Sequence, residues 1–590
     1  DSAPYGSRLP NTSVTCDSYA RFVLSTRMPS SVGVGDGEEV VDIDAVWSRP
    51  RVASRRTAST RTPSSVGVGV IVVIVVITDA DARFARVASR RAAHAMVWRL
   101  GVTMLRAPIV VSRAASVRRE RRARVHAQVA APDVRWRVVR RRCEAVLRAR
   151  GVDGDVNAIL RKALRPTWDA VADDDVASVT NGERAAIATC VLGSEVWRTR
   201  LERERACVRA GGWRVASEAL DACGGGEDAR EIVLMYWCGK ERLGAREGTM
   251  PDDGALVEMY GERVRALVEA VKEENLTWTN EISEKFSLPT RLADMFVDEY
   301  GADEAGKLAQ AMNTRGPVVC RVNAARGASK AEVIEMLKAE GVGDIEDAFA
   351  HLVPGAFWLK DGAPANGGIY GSKTWVDGFY EVQDEGSQLI AASVDAAPGD
   401  VVLDACAGNG GKTLALASSM LGVGKIYAFD VDKRRLKHLL ANIERAQVGS
   451  IVEVLENIGS LDELPAAAFD AVLVDAPCSS VGALRRTPSL RYTHDDPYEL
   501  AKIQLEILRR ASRLVKPNGG RLIYATCSVV SIENQDVARA FEAHHADFAP
   551  WPFETPVPTS PNVALHEHER LLLPHVLGTD GFYISRWKRD

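Results

Sequence analysis

Apolar residues change their spacing twice along this chain, and each change predicts a different architecture. Between Val152 and Pro289 they recur every three or four positions, as in RAAIATCVLGSEVWRTRLERE and ALVEMYGERVRALVEAVKEE. That is the period of helices hiding one face. Leu256, Tyr260, Val264, Leu267 and Val271 make one continuous stripe, so a small helical bundle is expected. Val318–Val342 then reads as a strand followed by a helix capped by Ser329, with Ala331, Val333, Ile334 and Leu337 as its apolar positions. With LPTRLADMFVDEYG before it, this predicts a small α+β module. From Trp375 onward, short apolar runs alternate with helical stretches, the βαβ pattern of a parallel sheet. Five strands are expected, beginning near Val401, Lys425, Ile451, Phe469 and Gly519. The helix LAKIQLEILRRASRLVKP before the fifth places Ile503, Ile507, Leu508, Ala511 and Leu514 on one face.

The first hundred residues follow neither period. PSSVGVG occurs at 29–35 and again at 63–69, and RVASRR at 51–56 and 86–91. Two copies are too few for a stacked repeat, so a duplicated, poorly ordered leader is expected. The apolar run Val66–Ile77 is short of the ~20 residues a membrane helix needs, so no membrane association is expected. From Met104 to Ala130 there are seven arginines and one acid, Glu120. This composition suits a transit peptide, and Met104 is then a candidate start; a solvated basic arm touching RNA phosphates is the alternative. The expected divisions are a leader at 1–103, a basic segment at 104–150, a helical domain at 151–287, an α+β module at 288–370 and a βαβ domain at 371–590.

Composition adds mainly exclusions. The 590 residues are 46% hydrophobic and 26% charged with a net charge of −4, so the average charge points to no polyanionic partner. None of the ten cysteines is paired at C-x-x-C spacing, which excludes a zinc ribbon and gives no support to a disulfide framework. No metal is expected.

The chemistry begins at VVLDACAGNGGKTLALASS, Val401–Ser419, an apolar strand, a glycine-rich turn and a helix. Glycines 408, 410 and 411 allow a ligand close to the backbone and to the helix N-terminus. A Walker A loop requires glycine where Cys406 stands, and a dinucleotide fingerprint requires it where Thr413 stands, so neither applies. Asp430, at the end of the second strand, is placed to accept ribose hydroxyls of an adenosine cofactor. Asp475 and Cys478 follow the fourth strand, and Thr526 and Cys527 end the fifth. A lone cysteine there is usually packing. Two at paired strand exits, ~5 Å apart if the strands are neighbours, could face one substrate.

VQDEGSQLI (382–390), DACAGNGGKT, VDAPCSSVGALRR, YATCSVVSIENQ and DGFYISRW (580–587) occur in the order found in RNA (cytosine-5) methyltransferases of the RsmB/Nop/Sun type, which the chain resembles over about Leu288–Arg589. The resemblance implies an α/β, Rossmann-like, S-adenosylmethionine-dependent domain behind an RNA-binding module and an all-α, NusB-like domain. It implies cofactor contacts from Cys406, Ala407, Gly408, Asn409, Gly410, Gly411, Lys412, Asp430 and Asp475. Family members usually carry aspartate where this chain has Asn457, which is kept here as a candidate adenine contact. Cys527 is the implied nucleophile toward carbon 6 of cytosine, with Cys478 assisting release and Asp475 at ring nitrogen 3. Arg485, Arg486 and Arg491 are candidate phosphate contacts. The implied partner is RNA, ribosomal or else transfer RNA, bound by a monomer in chloroplast, mitochondrion or cytoplasm. A DNA cytosine-5 methyltransferase and a non-catalytic RNA-binding assembly factor are the competing readings.

Overall fold

The computed structural model describes residues 134–590 except 151–155, 165–178, 210–227, 240–242, 244–249, 273–281, 344, 348–352, 360–368 and 494. The leader, its repeats and the arginine-rich run from Met104 to Ala130 lie outside the described residues.

Helices α1 (Trp136–Arg150), α2 (Val156–Ala163), α3 (Asn181–Val196), α4 (Arg198–Arg209), α5 (Asp228–Cys238), α6 (Asp253–Tyr260) and α7 (Val264–Lys272) make the helical domain. Its core joins Val139, Cys143 and Val146 of α1 to Ile187, Cys190, Val233 and Trp237. The domain therefore begins before residue 151. The arginines of α1 mask an apolar face at three- and four-residue spacing. The expected single stripe from Leu256 to Val271 is also split: Gly261, at φ 81°, ends α6, and α7 restarts three residues later. A positive φ costs glycine little and breaks a helix cleanly.

Next come α8 (Ile282–Phe286) and α9 (Thr290–Met312), the latter bent at Gly301 (φ 73°). The module's sheet is built from β1 (Val319–Val322), β2 (Ile345–Asp347), β3 (Ala356–Leu359) and β4 (Tyr380–Val382), in the order β2-β3-β1-β4. Helix α10 (Lys330–Ala339) begins at a capping box in which Ser329 accepts from Glu332 N–H and the Glu332 side chain accepts from Ser329 N–H. Val333 and Leu337 pack under Phe357 and Tyr380. Because β4 hydrogen-bonds to β1, the module reaches Val382 rather than stopping at 370.

The last domain contains α11 (Glu385–Ala392), β5 (Val401–Asp404), α12 (Gly411–Ser419), β6 (Lys425–Ala428), α13 (Lys433–Ala446), β7 (Val452–Val454), β8 (Ala471–Asp475), α14 (Pro497–Ser512), β9 (Arg521–Thr526), α15 (Gln535–Glu542), β10 (Phe548–Pro550), β11 (Glu569–Leu572) and β12 (Phe582–Arg589). Its sheet runs β10-β12-β9-β8-β5-β6-β7, with β11 beside β12. Strands β9 through β7 are parallel, and β12 enters antiparallel to β9. The chain leaves β5 toward β6 and β7, then returns to β8 on the other side. That reversal opens a crevice beyond the carboxyl ends of β5 and β8, where open α/β sheets bind ligands. Among the described residues no helix is long and apolar enough to cross a membrane.

Candidate active site

The loop after β5 is shaped by backbone that only glycine adopts cheaply. Gly408 and Gly410 have φ of 55° and 93°, and a Cβ on Gly410 would lie 2.2 Å from Leu439. Helix α12 can therefore start at Gly411 with its first amides toward the crevice. Beneath the loop, Asp404 is fully buried and accepts from the Thr413 hydroxyl at 2.7 Å. Burial pushes its carboxyl up to about 7, against that hydrogen bond.

A cavity of about 310 Å³ occupies the crevice, lined by Gln383, Ser387, Cys406, Ala407, Gly408, Asn409, Gly411, Lys412, Asp430, Arg435, Asp475, Ala476, Pro477, Cys478, Ser480 and Cys527. Asp430 accepts from Gly408 N–H at 2.8 Å and from Asp432 N–H at 2.7 Å, one amide per oxygen. Each oxygen keeps a second acceptor position. Burial raises the Asp430 carboxyl, with the Asp432 amide opposing it most. Lys412 donates to Asp475 at 2.6 Å. Burial alone would lower Lys412, but the charge and hydrogen bond of Asp475 outweigh it and hold the ammonium above its usual range. With Lys412 so engaged, the lining suits ribose hydroxyls and a cationic sulfonium better than a polyphosphate. S-adenosylmethionine fits these residues: Asp430 would hold the ribose, and the Cys406–Lys412 backbone and Asp475 would lie along the rest.

Two departures from the sequence reading concern this cavity. Asn457 is exposed in the turn after β7 and does not line it, because β7 ends at Val454. Gly410 shapes the loop against Leu439 and is not itself among the lining residues. Arg435, Gln383, Ser387 and Ser480 line it without having been singled out. Gln383 and Ser387 fall inside the VQDEGSQLI stretch, the one signal that could have marked them.

The two cysteines meet. Strands β8 and β9 pair in parallel with Asp475 opposite Ala525, so their exits are adjacent. Gly482 N–H donates to Cys527 O at 2.9 Å and draws the loops together. Cys478 Sγ lies 3.3 Å from Cys527 Sγ, both as free thiols, and Ser480 Oγ lies 3.2 Å from Cys527. A hydrogen bond from Cys478 holds Cys527 below the usual thiol range; burial opposes this, and Ser480 and Lys412 reinforce it. The same contact, with burial, pushes Cys478 far up. Of the two thiols, Cys527 is thus the more acidic and Cys478 the less.

The three arginines are placed differently from expectation. Arg485 is buried and bonds Asp580 and Gly578 O. Arg486 joins Asp384 and Asp580 and donates to Pro317 O. Arg491 is buried and bonds Val196 O, Met312 O and Asn313. Arg485 and Arg491 are therefore internal ties rather than phosphate contacts, and Arg486 is committed to the two aspartates.

The family described as 16S rRNA methyltransferase RsmB/F matches residues 391–588. A probable ribosomal RNA small subunit methyltransferase B from Synechocystis is 31% identical over 314 residues, 52% of this chain and 68% of that protein. The chain belongs to the RsmB/Nop/Sun family. The protein described in the same words from Bacillus subtilis is 33% identical over 311 residues, 51% of this chain and 66% of its own length. The chain thus spans about two thirds of these curated relatives. The crystal structure of PH0851 superposes with a TM-score of 0.56 at 25% identity, covering 77% of this chain and 98% of that one. Like other RsmB/Nop/Sun members, the protein carries a Rossmann-like methyltransferase domain with the cofactor loop after its first parallel strand.

Proposed function

We propose that this protein methylates carbon 5 of a cytosine in small-subunit ribosomal RNA through a covalent cysteine adduct. The observation that carries this reading is the thiol pair, 3.3 Å apart at neighbouring strand exits and unequal in acidity. The names of the similar small-subunit enzymes support the choice of RNA.

Carbon 5 of cytosine is a weak nucleophile until a nucleophile adds at carbon 6. Cys527, the more acidic of the two thiols, makes that bond. Negative charge then develops toward ring nitrogen 3, where the Asp475–Lys412 pair can deliver a hydrogen bond or proton. S-adenosylmethionine, when bound, supplies an electrophilic methyl group. Loss of the carbon 5 proton to water then re-forms the carbon 5–carbon 6 double bond and expels Cys527 as thiolate. Cys478, still a thiol, receives the departing sulfur with the hydrogen bond it already makes in the free protein. A cytosine within a helix must first be unstacked, at about a few kcal/mol.

Incubation of small-subunit RNA with protein and S-adenosylmethionine, read by bisulfite sequencing and denaturing gels, tests this. Cys527→Ala should lose both 5-methylcytosine and the protein–RNA adduct, whereas Cys478→Ala should accumulate the adduct. Adduct formation by Cys527→Ala together with normal turnover by Cys478→Ala would refute the assignment.

A further inference from the structure

Beneath the cysteine loops lies a carboxylate that the proposed chemistry leaves unused. Glu533 ends the turn Ser531–Glu533 after β9 and is completely buried. Burying a carboxylate is costly unless its lone pairs are filled, and here each oxygen accepts two hydrogen bonds. Oε1 accepts from Ser479 N–H at 2.8 Å and from Gln504 Nε2 at 3.0 Å. Oε2 accepts from the Ser479 hydroxyl and from the Ser528 hydroxyl, the latter at 2.6 Å. Ser479 directly follows Cys478, and Ser528 directly follows Cys527. One carboxylate therefore grips the neighbour of each thiol. Gln504 extends the grip to Pro477 O at 2.9 Å, one residue before Cys478. Asn534 braces the other side, accepting from Thr526 at 2.6 Å and donating to Ser528 O at 3.1 Å.

We propose that Glu533 is a positioning residue for the thiol pair, tying the Cys478 loop to the Cys527 loop and setting the separation at which one sulfur can hydrogen-bond the other. The role deepens the proposed function and rests on the reading that both thiols serve one pyrimidine. Burial pushes the Glu533 carboxyl up, and the hydrogen bonds from Ser479, Ser528 and Gln504 oppose this by favouring the carboxylate. The negative charge bears on Cys478, adding to the Cys527 contact and burial that keep it a thiol. A residue that only fills space would serve equally well as glutamine.

The test uses the full chain without RNA or cofactor. Iodoacetamide labels the thiols from about pH 6 to pH 10, and peptide mass spectrometry reads the rate at each cysteine. In the unmodified protein Cys527 reacts first. Glu533→Gln keeps the shape but removes the charge, and should raise Cys478 labelling relative to Cys527 by about tenfold. Glu533→Ala also removes the tie, and should bring the two pH profiles together. With cytosine-containing RNA, kcat of Glu533→Ala should fall by about a hundredfold with little change in KM, the cost of a misplaced reacting group. Unchanged labelling ratios and pH profiles in folded Glu533→Gln overturn the proposal, and this variant decides the matter alone if Glu533→Ala does not fold. If the unmodified protein labels in this order but transfers no methyl group, the proposed function fails instead, and the tie between the two loops is left with no reaction to serve.

Discussion

Arg491→Met separates two readings of one residue. A phosphate contact and an internal tie both explain an arginine nine residues past VDAPCSSVG, but they predict different losses. Arg491 is 4% exposed, and its guanidinium donates to Val196 O at 2.5 Å, Met312 O at 3.1 Å and Asn313 Oδ1 at 2.7 Å. Val196 and Met312 are the last residues of α3 and α9, whose terminal carbonyls carry partial negative charge. Burial pushes the guanidinium down to about 10. A displacement of that size sets roughly 3 kcal/mol against burying the charge. Three charge-assisted bonds at about 1.5–3 kcal/mol each exceed that cost. The variant should therefore lose about 3 kcal/mol of stability, a typical penalty for stripping a buried polar network. Urea unfolding measures it, and hydrogen exchange should quicken at the carboxyl ends of α3 and α9. RNA affinity as a function of salt should keep its slope. Stability unchanged within about 0.5 kcal/mol, with a salt slope shallower by about 0.7, would mean that Arg491 meets a phosphate after all.

Gly482→Ala should cost about 2–3 kcal/mol and most of the methyl transfer, because the new Cβ would sit 2.2 Å from Gly581 O and 2.8 Å from Cys527 O; thermal melting and turnover check it, and a variant active at the usual rate would contradict it. Asp404→Asn should flatten the pH dependence of stability. The folded carboxyl is raised to about 7 by burial, so the stability it lends is fully present below about pH 4 and is lost as pH rises through about 7. Relative to the unmodified protein, the variant should gain about 3 kcal/mol between pH 5 and pH 8 in urea titrations; parallel pH profiles would contradict this. Asp430→Asn should weaken S-adenosylmethionine binding by at least about tenfold by calorimetry, since the ribose loses a charged acceptor; unaltered affinity would place the ribose elsewhere.

Local text was most informative where one backbone geometry serves one purpose. The glycine loop, Asp430 at a strand end and the two strand-exit cysteines were all legible, because a ligand loop at a sheet edge needs those residue types in that order. The structure brings them to one cavity. Composition concealed as much. In α1, the arginines of WRVVRRRCEAVLRAR hid Val139, Cys143 and Val146, all wholly buried. The extent of β4 could not be read either, since Tyr380–Val382 belongs to the module only through its pairing with Cys320–Val322. Charge was the least legible property. Arg485 and Arg486 lie next to the Cys478 loop and look like an RNA-facing patch, yet Asp384 and Asp580 fold onto them from 101 and 95 positions away respectively counting from Arg485. A guanidinium's partner is chosen by tertiary structure.

The same reasoning explains why two identical residues at neighbouring strand exits differ in acidity. Nothing in the identity of Cys478 or Cys527 distinguishes them, and both follow parallel strands that pair in register. The difference comes from their surroundings. Ser480 and Lys412 favour charge on Cys527 against burial and Asp475, while a buried carboxylate lies behind Cys478. Close approach then amplifies this bias, because a shared hydrogen bond stabilises one thiolate only while the other sulfur keeps its proton. The asymmetry therefore depends on the loops being held together. A wider gap would leave two ordinary buried thiols with similar acidity, and neither would be prepared to attack a pyrimidine at neutral pH.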